Sequence, residues 1–380
     1  MRAFYEKGEL KQGYYNPCGV FDEVHFITFC DEDVEPEKIA VVGGRARVFV
    51  HALGPLKPWS IWTKRRKVVA EARKIGPDVL RAFTPAMHGY FAAYAARELR
   101  VPFVLSVHGD FDRDARYFFW KTRQWRNWLQ STFMKLFTER FAIGSADEVV
   151  CAYSFPVRYA REYGAKRVSV VYNKVYAERF ARAKPALRFD KPAVICVGRM
   201  IPEKNQECLI RAFALDGGAL ARKAYLVLIG NGPEYGRLVK LAAELGVAKQ
   251  VLFFKSVPNA EIAGYYKSAR VFALPIKYGG VAIPVIEAMA AGLPVVVARP
   301  ELDPNPEFAS EVGRVIENTP DAFGRAINEI ISNPKLAEEM ARKGRAKFAE
   351  IEGSEMEAKE AAIYEKLVSK FEVSKKSLKR

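Results

Sequence analysis

Val194-Ile-Cys-Val-Gly-Arg-Met-Ile-Pro-Glu-Lys-Asn205 decides the fold of the second half of the chain. A run of apolar, mostly β-branched residues leads into Gly198, a loop carries Arg199 and Lys204, and a helical pattern follows. The amide groups of a helix N-terminus and two cations together form a natural binding site for a diphosphate. The loop alone leaves open whether the two cations bind a ligand or are solvated, because basic residues are common in loops.

A second segment, Leu274 to Val296, favours the interpretation that this part of the chain binds a ligand. Gly279 and Gly280 allow the backbone to approach a bound molecule, and the amides from Gly279 to Val281 are suited to phosphate or sugar hydroxyls. Glu287 begins a helix of small and apolar residues, where a buried carboxylate is unfavourable unless a partner donates hydrogen bonds to it. A ribose diol is such a partner. Helix capping is the alternative role for Glu287.

Short β-branched runs alternate with longer helical patterns from about Asp22 onward, which is typical of parallel sheets with crossover helices. We therefore predict an α/β fold of two Rossmann-like domains that face each other across a cleft. The predicted domains are residues 1–175 and 176–353, and in 354–380 a helix packs back toward the first domain before a basic tail. The predicted strands are Glu23 to Phe29, Ala46 to His51, Val79 to Ala82, Phe103 to Val107, Glu148 to Ala152, Val168 to Val171, Ala193 to Val197, Tyr225 to Ile229, Val251 to Phe254, Val271 to Leu274 and Pro294 to Val297.

The start of the chain departs from the usual pattern of such a domain. Residues Arg2 to Gly8 resemble the end of a helix, where an apolar strand and a Gly-rich turn are expected. Either this domain does without its first strand, or the sequence starts late, at an internal methionine.

Three segments, in chain order, resemble the retaining glycosyltransferases of the GT-B fold, family 4. They are Gly198 to Asn205, Leu228 to Glu234 and Pro284 to Pro294, and the resemblance covers most of residues 190–300. It implies that the first domain binds an acceptor and that the second binds a nucleotide-diphosphate sugar, with the diphosphate on Arg199 and Lys204 and the ribose on Glu287. The donor-binding residues expected on this basis are Gly198, Arg199, Lys204, Asn231, Lys255, Val257, Gly279, Gly280, Val281 and Glu287.

One position departs from the family pattern. The family has a second Glu eight residues before the one that matches Glu287, and this chain has Gly279 there. Because that Glu contacts the donor sugar in the family, the resemblance does not determine which sugar this chain binds or how it contacts that sugar. A catalytically silent nucleotide-sugar-binding protein of the same fold is therefore the alternative to an enzyme.

Strand ends in the first domain supply further candidates. Leu105 to Asp110 is an apolar strand pattern that ends in His108 and Asp110, and strand ends of such sheets face the ligand crevice. The resemblance implies that His108 contacts the donor sugar near the scissile bond, and a structural histidine bonded to the backbone is the alternative. His88, after another strand, and Asp110 are candidates for binding the acceptor.

The resemblance also implies the chemistry. Retaining transfer by front-side attack makes Arg199, Lys204 and His108 the catalytic set, with the two cations stabilising the leaving diphosphate. No metal and no cofactor are expected. The acidic strings Asp31-Glu-Asp33 and Asp112-Arg-Asp114 lack a suitable strand-turn setting for metal binding, and we interpret both as exposed loop charges. The five cysteines include no CxxC pair and mostly lie in apolar stretches, so we expect small buried side chains and neither a disulfide nor a metal site.

The net charge of +16 indicates an anionic partner. From His51 to Arg140 there are 17 Lys and Arg against 7 Asp and Glu, and all five tryptophans lie there. We predict a helix from Arg116 to Arg140 with Phe118, Trp125, Leu129, Phe133 and Phe137 on one face, which suits an anionic membrane surface. The alternative is an ordinary helix whose aromatic residues belong to the core.

The sequence contains neither a membrane-spanning apolar run nor a signal-peptide pattern, so we expect a cytoplasmic protein that is peripheral at the inner membrane face. The expected activity is retaining transfer of a hexosyl unit from a UDP- or GDP-linked sugar to a lipid or glycan acceptor. A basic RNA-binding protein on a Rossmann-like scaffold is an alternative from another class, although the sequence contains no recognised nucleic-acid-binding module.

Overall fold

The computed structural model describes residues 1–6, 10–57, 60–278, 283–302 and 309–377, and their side chains except those of residues 3, 4 and 374–377. The chain divides into two compact units. Unit 1 comprises residues 1–172 and 354–380, and unit 2 comprises residues 173–353. The domain limits predicted from the sequence, at residues 175 and 353, lie close to these boundaries.

Unit 1 is built from short parallel strands and the helices that connect them. Its elements up to residue 172 are α1 (Arg2–Glu6), β1 (Glu23–Thr28), β2 (Arg47–Ala52), α2 (Ile61–Ile75), β3 (Leu80–Ala82), α3 (Met87–Leu99), β4 (Phe103–Val107), α4 (Tyr117–Lys121), α5 (Trp125–Met134), α6 (Arg140–Ser145), β5 (Glu148–Cys151), α7 (Val157–Glu162) and β6 (Val168–Val170).

Among the described residues, the strands of unit 1 form two separate parallel sheets. Strands β1 and β2 pair with Glu23 opposite Arg47, and β3, β4, β5 and β6 follow one another in order in a second sheet. Tyr15 packs edge-on against Phe26 of β1 and Phe83, which follows β3, with ring centroids 4.9 and 5.2 Å away. An aromatic side chain from the loop after α1 therefore contacts the ends of both sheets.

Unit 2 is a single parallel sheet with helices on both faces. Its elements are α8 (Ala177–Ala181), β7 (Ala193–Val197), α9 (Gln206–Lys223), β8 (Tyr225–Ile229), α10 (Tyr235–Glu244), β9 (Val251–Phe254), α11 (Ile262–Lys267), β10 (Val271–Leu274), α12 (Ile283–Ala291), β11 (Val295–Ala298), α13 (Ala309–Val312), β12 (Arg314–Ile316), α14 (Pro320–Ser332) and α15 (Pro334–Glu350). The last helix of the chain, α16 (Gly353–Ser377), belongs to unit 1 except for its first residue.

The second sheet of unit 1 is buried on both faces. Phe103, Leu105 and Val107 of β4 point into a core that includes Ile143 of α6 and Tyr159 of α7. Val104, between them in sequence, points to the other face, where it packs in a cluster with Met356, Tyr364 and Leu367 of α16. Because side chains of a strand alternate between faces, a continuous apolar run of this kind predicts helices on both sides. The C-terminal helix supplies one of them.

The strand order of the unit 2 sheet locates its ligand site. The order is β9-β8-β7-β10-β11-β12, so the chain leaves β7 in one direction and returns to the other side of β7 with β10. This is the doubly wound order of Rossmann folds, in which ligands bind at the carboxyl ends of the strands where the direction reverses. The reversal point here lies between β7 and β10, which pair with Val194 opposite Val271.

Three features differ from the sequence-based expectations. Strand β12 was not predicted, because Arg314 to Ile316 is too short to show a pattern. The helix expected from Arg116 to Arg140 is interrupted at residues 122–124, where Arg123 has a φ of 56°. Cys18 is exposed, whereas Cys151, Cys196 and Cys208 are buried and all five thiols are free.

Candidate functional site

The predicted donor-binding residues that the structure describes follow four neighbouring strands of unit 2. Gly198, Arg199 and Lys204 follow β7, Asn231 follows β8, Lys255 and Val257 follow β9, and Glu287 lies in α12 after β10. All of these strands are parallel, so their carboxyl ends meet at one edge. Gly279, Gly280 and Val281 lie outside the described residues.

The loops after β7 and β8 are joined by backbone hydrogen bonds. Gly198 N donates to Ile229 O at 2.9 Å, Met200 N donates to Asn231 O at 2.9 Å, and Glu234 N donates to Met200 O at 3.1 Å. The amide of Gly230 in turn donates to Phe254 O at 2.8 Å, which adds the end of β9. The ends of the adjacent strands β7, β8 and β9 are thus linked by backbone hydrogen bonds next to Arg199.

Two glycines make this close approach possible. Gly230 has a φ of 146°, and a Cβ there would lie 2.0 Å from the carbonyl oxygen of Gly198. Gly232 has a φ of 157°, and its Cβ would lie 2.3 Å from Met200 O. Only glycine fits at such positions, because any side chain overlaps the backbone of the neighbouring loop. The Gly-Asn-Gly segment is therefore explained by packing between loops.

The loop after β7 is shaped by its own contacts. Residues Pro202–Lys204 form a 3-10 turn, Asn205 adopts a left-handed conformation with a φ of 51°, and α9 begins at Gln206. Gln206 is buried and its amide nitrogen donates to Arg199 O at 3.0 Å. The Arg199 side chain is exposed at this edge and Lys204 is half-buried. Two cations therefore stand at the start of a helix and at the reversal point of the sheet, where an anion is favoured.

Asn318, which the sequence analysis missed, joins this loop to two others. Its amide nitrogen donates to Pro275 O at 3.0 Å and to Ile276 O at 3.1 Å, and its side-chain oxygen accepts from Asn205 Nδ2 at 2.9 Å. Lys277 N also donates to Glu203 O at 2.8 Å. The loops after β7, β10 and β12 are thus held together. A polar residue directly after a strand was the available signal, but β12 itself was not recognised.

Glu287 is buried in the second turn of α12, rather than at its start as the sequence suggested. The Tyr266 hydroxyl donates to Glu287 Oε2 at 2.9 Å. Burial raises the pKa of Tyr266 well above its usual value, and the Glu287 charge adds to this effect. The tyrosine therefore stays protonated and holds the carboxylate in one orientation. Its buried, hydrogen-bonded setting also replaces the helix-capping interpretation with a defined partner.

Lys255 and Asn231 lie at the outer end of the same edge. Both are exposed, with Lys255 Nζ 5.0 Å from the centre of the Tyr235 ring, whereas Val257 is half-buried. Asn231 Oδ1 accepts from the amide of Gly232 at 2.9 Å. Their roles in donor binding remain predictions from the family resemblance.

In unit 1, His108 follows β4 near an ion pair between the half-buried Arg81 and the buried Glu360. Arg81 of β3 forms hydrogen bonds with Ser106, and with Glu360 and Tyr364 of α16, and its guanidinium stacks 4.2 Å from the centre of the Phe83 ring. Although His108 keeps an exposed portion, the surrounding protein lowers its pKa to about 4, and the Arg81 charge adds to the effect. The imidazole is therefore neutral near pH 7.

The two acceptor candidates of unit 1 have different settings. Asp110 is buried, and its Oδ1 accepts from the amides of Asp112 and Arg113 at 3.1 Å each, which caps the helical turn that follows. Burial raises the pKa of Asp110. His88, in the first turn of α3, is exposed, and its ring lies 5.5 Å from that of Phe29. A role for either residue in acceptor binding stays a prediction.

The interpretation of the two acidic strings as exposed loop charges is correct for Asp31 and Glu32 and wrong for Asp33 and Asp112. The Asp33 side chain is almost fully buried and accepts from the N-terminal ammonium group at 2.7 Å. Asp112 accepts from Arg116, Lys135 and Tyr163 at 2.6 to 3.0 Å. In the described ranges, no three His, Cys, Asp or Glu side chains converge as a metal site would require.

Both units consist of parallel strands connected by helices, and unit 2 carries the loops described above at the carboxyl ends of its strands. These features define the class as a GT-B protein with two Rossmann-like domains. Two family models match this chain consecutively. "Glycosyltransferase Family 4" matches residues 22–179, and "Glycosyl transferases group 1" matches residues 177–347. The chain belongs to the group 1 glycosyltransferases of the GT-B fold.

Similar proteins were found at the level of sequence and of structure. A GDP-mannose-dependent α-(1-6)-phosphatidylinositol monomannoside mannosyltransferase of Mycolicibacterium smegmatis is 33% identical over 43% of this chain and 46% of the relative. A D-inositol 3-phosphate glycosyltransferase of Streptomyces avermitilis is 30% identical over 53% of this chain and 47% of the relative. The chain thus spans about half the length of these curated relatives. HepE of Anabaena, solved in complex with UDP, has a TM-score of 0.69 at 16% identity and 96% coverage of both chains, which supports the fold.

Within the described part of the chain, no helix combines the length and the apolar character needed to cross a bilayer.

Proposed function

We propose that this protein is a retaining glycosyltransferase that moves a hexosyl unit from a UDP- or GDP-linked sugar to a lipid or glycan acceptor. The observation that carries this proposal is the edge of unit 2 at which the loops after β7, β8, β10 and β12 are joined by hydrogen bonds, with Arg199 and Lys204 on the first of them. This edge is the reversal point of a doubly wound sheet, where nucleotides bind in such folds.

The donor diphosphate would bind to the positive side of this edge. Arg199 supplies a planar group with several N–H donors, and Lys204 supplies a compact charge. The first turn of α9 adds backbone amides that favour an anion. These groups neutralise a diphosphate by themselves, and we therefore propose that transfer needs no metal ion and no cofactor. A chelator is expected to leave the rate unchanged.

The ribose would bind to Glu287. A carboxylate accepts hydrogen bonds from two adjacent hydroxyls, and Tyr266 holds this one from the side of α11 with a 2.9 Å hydrogen bond. A second function of Tyr266 is to keep the buried carboxylate partnered when no nucleotide is bound, since an unpartnered buried charge is strongly unfavourable.

The chemical step we propose is front-side attack by an acceptor hydroxyl on the anomeric carbon. The bond from the anomeric carbon to the donor phosphate oxygen breaks, the bond to the acceptor oxygen forms on the same face, and the acceptor proton passes to the leaving phosphate. Arg199 and Lys204 stabilise the negative charge that develops on the leaving group. His108, whose lowered pKa keeps it neutral, is suited to a hydrogen bond with a sugar hydroxyl.

One of the similar proteins indicates which donor and acceptor to test first. The mannosyltransferase relative uses GDP-mannose and acts on a phosphatidylinositol mannoside, so GDP-mannose and a lipid acceptor are the first candidates. Gly279 replaces a Glu that contacts the sugar in the family, so a catalytically silent nucleotide-sugar-binding protein is the second candidate function. For a lipid acceptor we propose a cytoplasmic protein that is peripheral at the inner membrane face.

A donor panel tests the proposal. The protein is incubated with GDP- and UDP-sugars and membrane lipid extract, with and without a chelator, and the product linkage is read by NMR. Retention of the α configuration without metal is the expected result. An inverted product would contradict the retaining mechanism, whereas nucleotide binding without turnover of any donor would favour the silent protein.

A further inference from the structure

Unit 1 exposes a concentrated apolar surface that the donor site does not explain. Thirteen large hydrophobic residues of the described chain are exposed, and six of them lie within residues 120–137. Each of the six has between 52% and 61% of its surface exposed. Soluble proteins rarely leave so many large apolar side chains exposed together, and such patches usually mark a contact surface. The six residues are Trp120, Trp125, Leu129, Phe133, Leu136 and Phe137, which we call the apolar patch.

Four residues of the apolar patch lie along one face of α5 and of the helical turn that follows it. Trp125, Leu129, Phe133 and Phe137 are spaced four residues apart and therefore lie in a row along the helix. The rings of Phe133 and Phe137 contact each other, with centroids 4.4 Å apart. The alternative interpretation, in which these residues belong to the core, is wrong for Trp125, Leu129, Phe133 and Phe137, because their side chains are exposed.

The charges around the apolar patch are of one sign. Residues 117–138 contain four basic side chains and no Asp or Glu. Three of the four, Lys121, Arg123 and Arg126, are exposed around the junction of α4 and α5. A surface that combines exposed aromatic and aliphatic groups with exposed basic side chains suits the anionic interface of a lipid bilayer.

The opposite side of the segment is fixed to the body of unit 1. Asp112 accepts from Lys135 at 3.0 Å and from Tyr163 at 2.6 Å, and Glu139 accepts from Arg116 and Tyr159. Glu139 and Arg116 are buried. Asp112 and Glu139 are thus paired with side chains on the inner side of the segment. The patch is presented by a fixed scaffold.

We propose that the apolar patch inserts into the interfacial region of an anionic membrane and so brings unit 1 to a lipid acceptor. This inference builds on the proposed function, because a lipid acceptor is found at such a surface. A second copy of the chain is a poorer occupant, since pairing two patches brings basic residues together with no acidic residue of the segment to neutralise them.

The test is cosedimentation of the full-length protein with phosphatidylcholine vesicles that contain or lack phosphatidylglycerol. Binding is expected only with the anionic lipid. The double variant Leu129→Ser, Phe133→Ser is expected to bind at least about tenfold more weakly, because two side chains no longer enter the interface. The double variant Arg123→Gln, Arg126→Gln is expected to lose about fivefold per charge at low salt, and less at high salt.

Val239→Ser provides the matched control. Val239 is also exposed, at 39%, but it lies on α10 of unit 2, and its substitution is expected to leave vesicle binding unchanged. All five substituted side chains are exposed. Thermal unfolding is therefore expected to be the same in every variant, and it verifies that the proteins are folded.

Three outcomes overturn the inference. These are absence of binding to anionic vesicles, equal binding by the wild type and the Leu129→Ser, Phe133→Ser variant, and a lipid-free dimer that this variant dissociates without any effect on vesicle binding. Nucleotide binding is measured on the same proteins without lipid. If the wild type binds vesicles but no nucleotide, the proposed function is contradicted and the membrane contact is not. If the wild type binds nucleotide but not vesicles, only the membrane contact is contradicted.

Discussion

Gly230→Ala is expected to disrupt the donor site by separating the loops after β7 and β8. The new Cβ would lie 2.0 Å from Gly198 O and 2.8 Å from the Gly198 carbonyl carbon, so one loop must move by more than 1 Å relative to the other. Overpacking of this kind costs about 1–3 kcal/mol, and a φ of 146° costs a residue with a side chain about 1–3 kcal/mol more. We expect unit 2 to lose about 2–6 kcal/mol of stability, and nucleotide binding to become undetectable.

Chemical unfolding followed by two signals measures this effect. All five tryptophans lie in residues 59–128, so tryptophan fluorescence reports on unit 1, whereas far-ultraviolet circular dichroism reports on both units. Gly236→Ala is the control, since a Cβ at this helical position has no neighbour within 4 Å, and it should be neutral or stabilising by up to about 1 kcal/mol. Unchanged stability and nucleotide affinity in Gly230→Ala would refute the proposed contact between the loops.

Three further predictions concern individual side chains. Glu360→Ala leaves the half-buried Arg81 without its carboxylate partner and should destabilise unit 1 by up to about 3–5 kcal/mol in thermal unfolding, whereas Glu365→Ala, at an exposed position of the same helix, should change little. The folded protein lowers the pKa of His108 from the usual 6.5 to about 4, so the unfolded chain binds more protons between these two pH values. The free energy of unfolding should therefore fall as the pH drops from 6.5 to 4. In His108→Gln this part of the pH dependence should disappear. Glu287→Ala should weaken nucleotide binding about tenfold or more through lost ribose contacts, as measured by calorimetry, and unchanged affinity would remove the ribose assignment.

Much of the fold was readable from the sequence because parallel strands buried on both faces are continuous apolar runs. Ala193 to Val197, Tyr225 to Ile229 and Phe103 to Val107 were predicted with the observed limits. Such runs depend on local composition and need no knowledge of distant contacts. Strand β12 was not predicted, because a strand of three residues is too short to show an apolar run.

The candidate site was readable only in part. Arg199, Lys204 and Glu287 were selected as candidates because charged residues beside apolar runs are conspicuous and match a known motif. Tyr266 and Asn318 were missed, because their importance comes from contacts 21 and 113 residues away in the chain, with Glu287 and Asn205. The interruption at residues 122–124 was also missed, because the stretch contains neither Gly nor Pro, and because Lys121, Arg123 and Gln124 are residue types that favour a helix.

The central claim is that the strand-end edge of unit 2 binds the diphosphate of a nucleotide-sugar donor. Isothermal titration of GDP, UDP and the corresponding nucleosides, without metal, into the wild type and Arg199→Ala tests it most directly. We predict that one diphosphate binds, that its nucleoside binds far more weakly, and that Arg199→Ala loses about 10- to 100-fold in affinity for the diphosphate alone. Equal affinity of the wild type and Arg199→Ala for the diphosphate, or the absence of binding by either nucleotide, would contradict the claim.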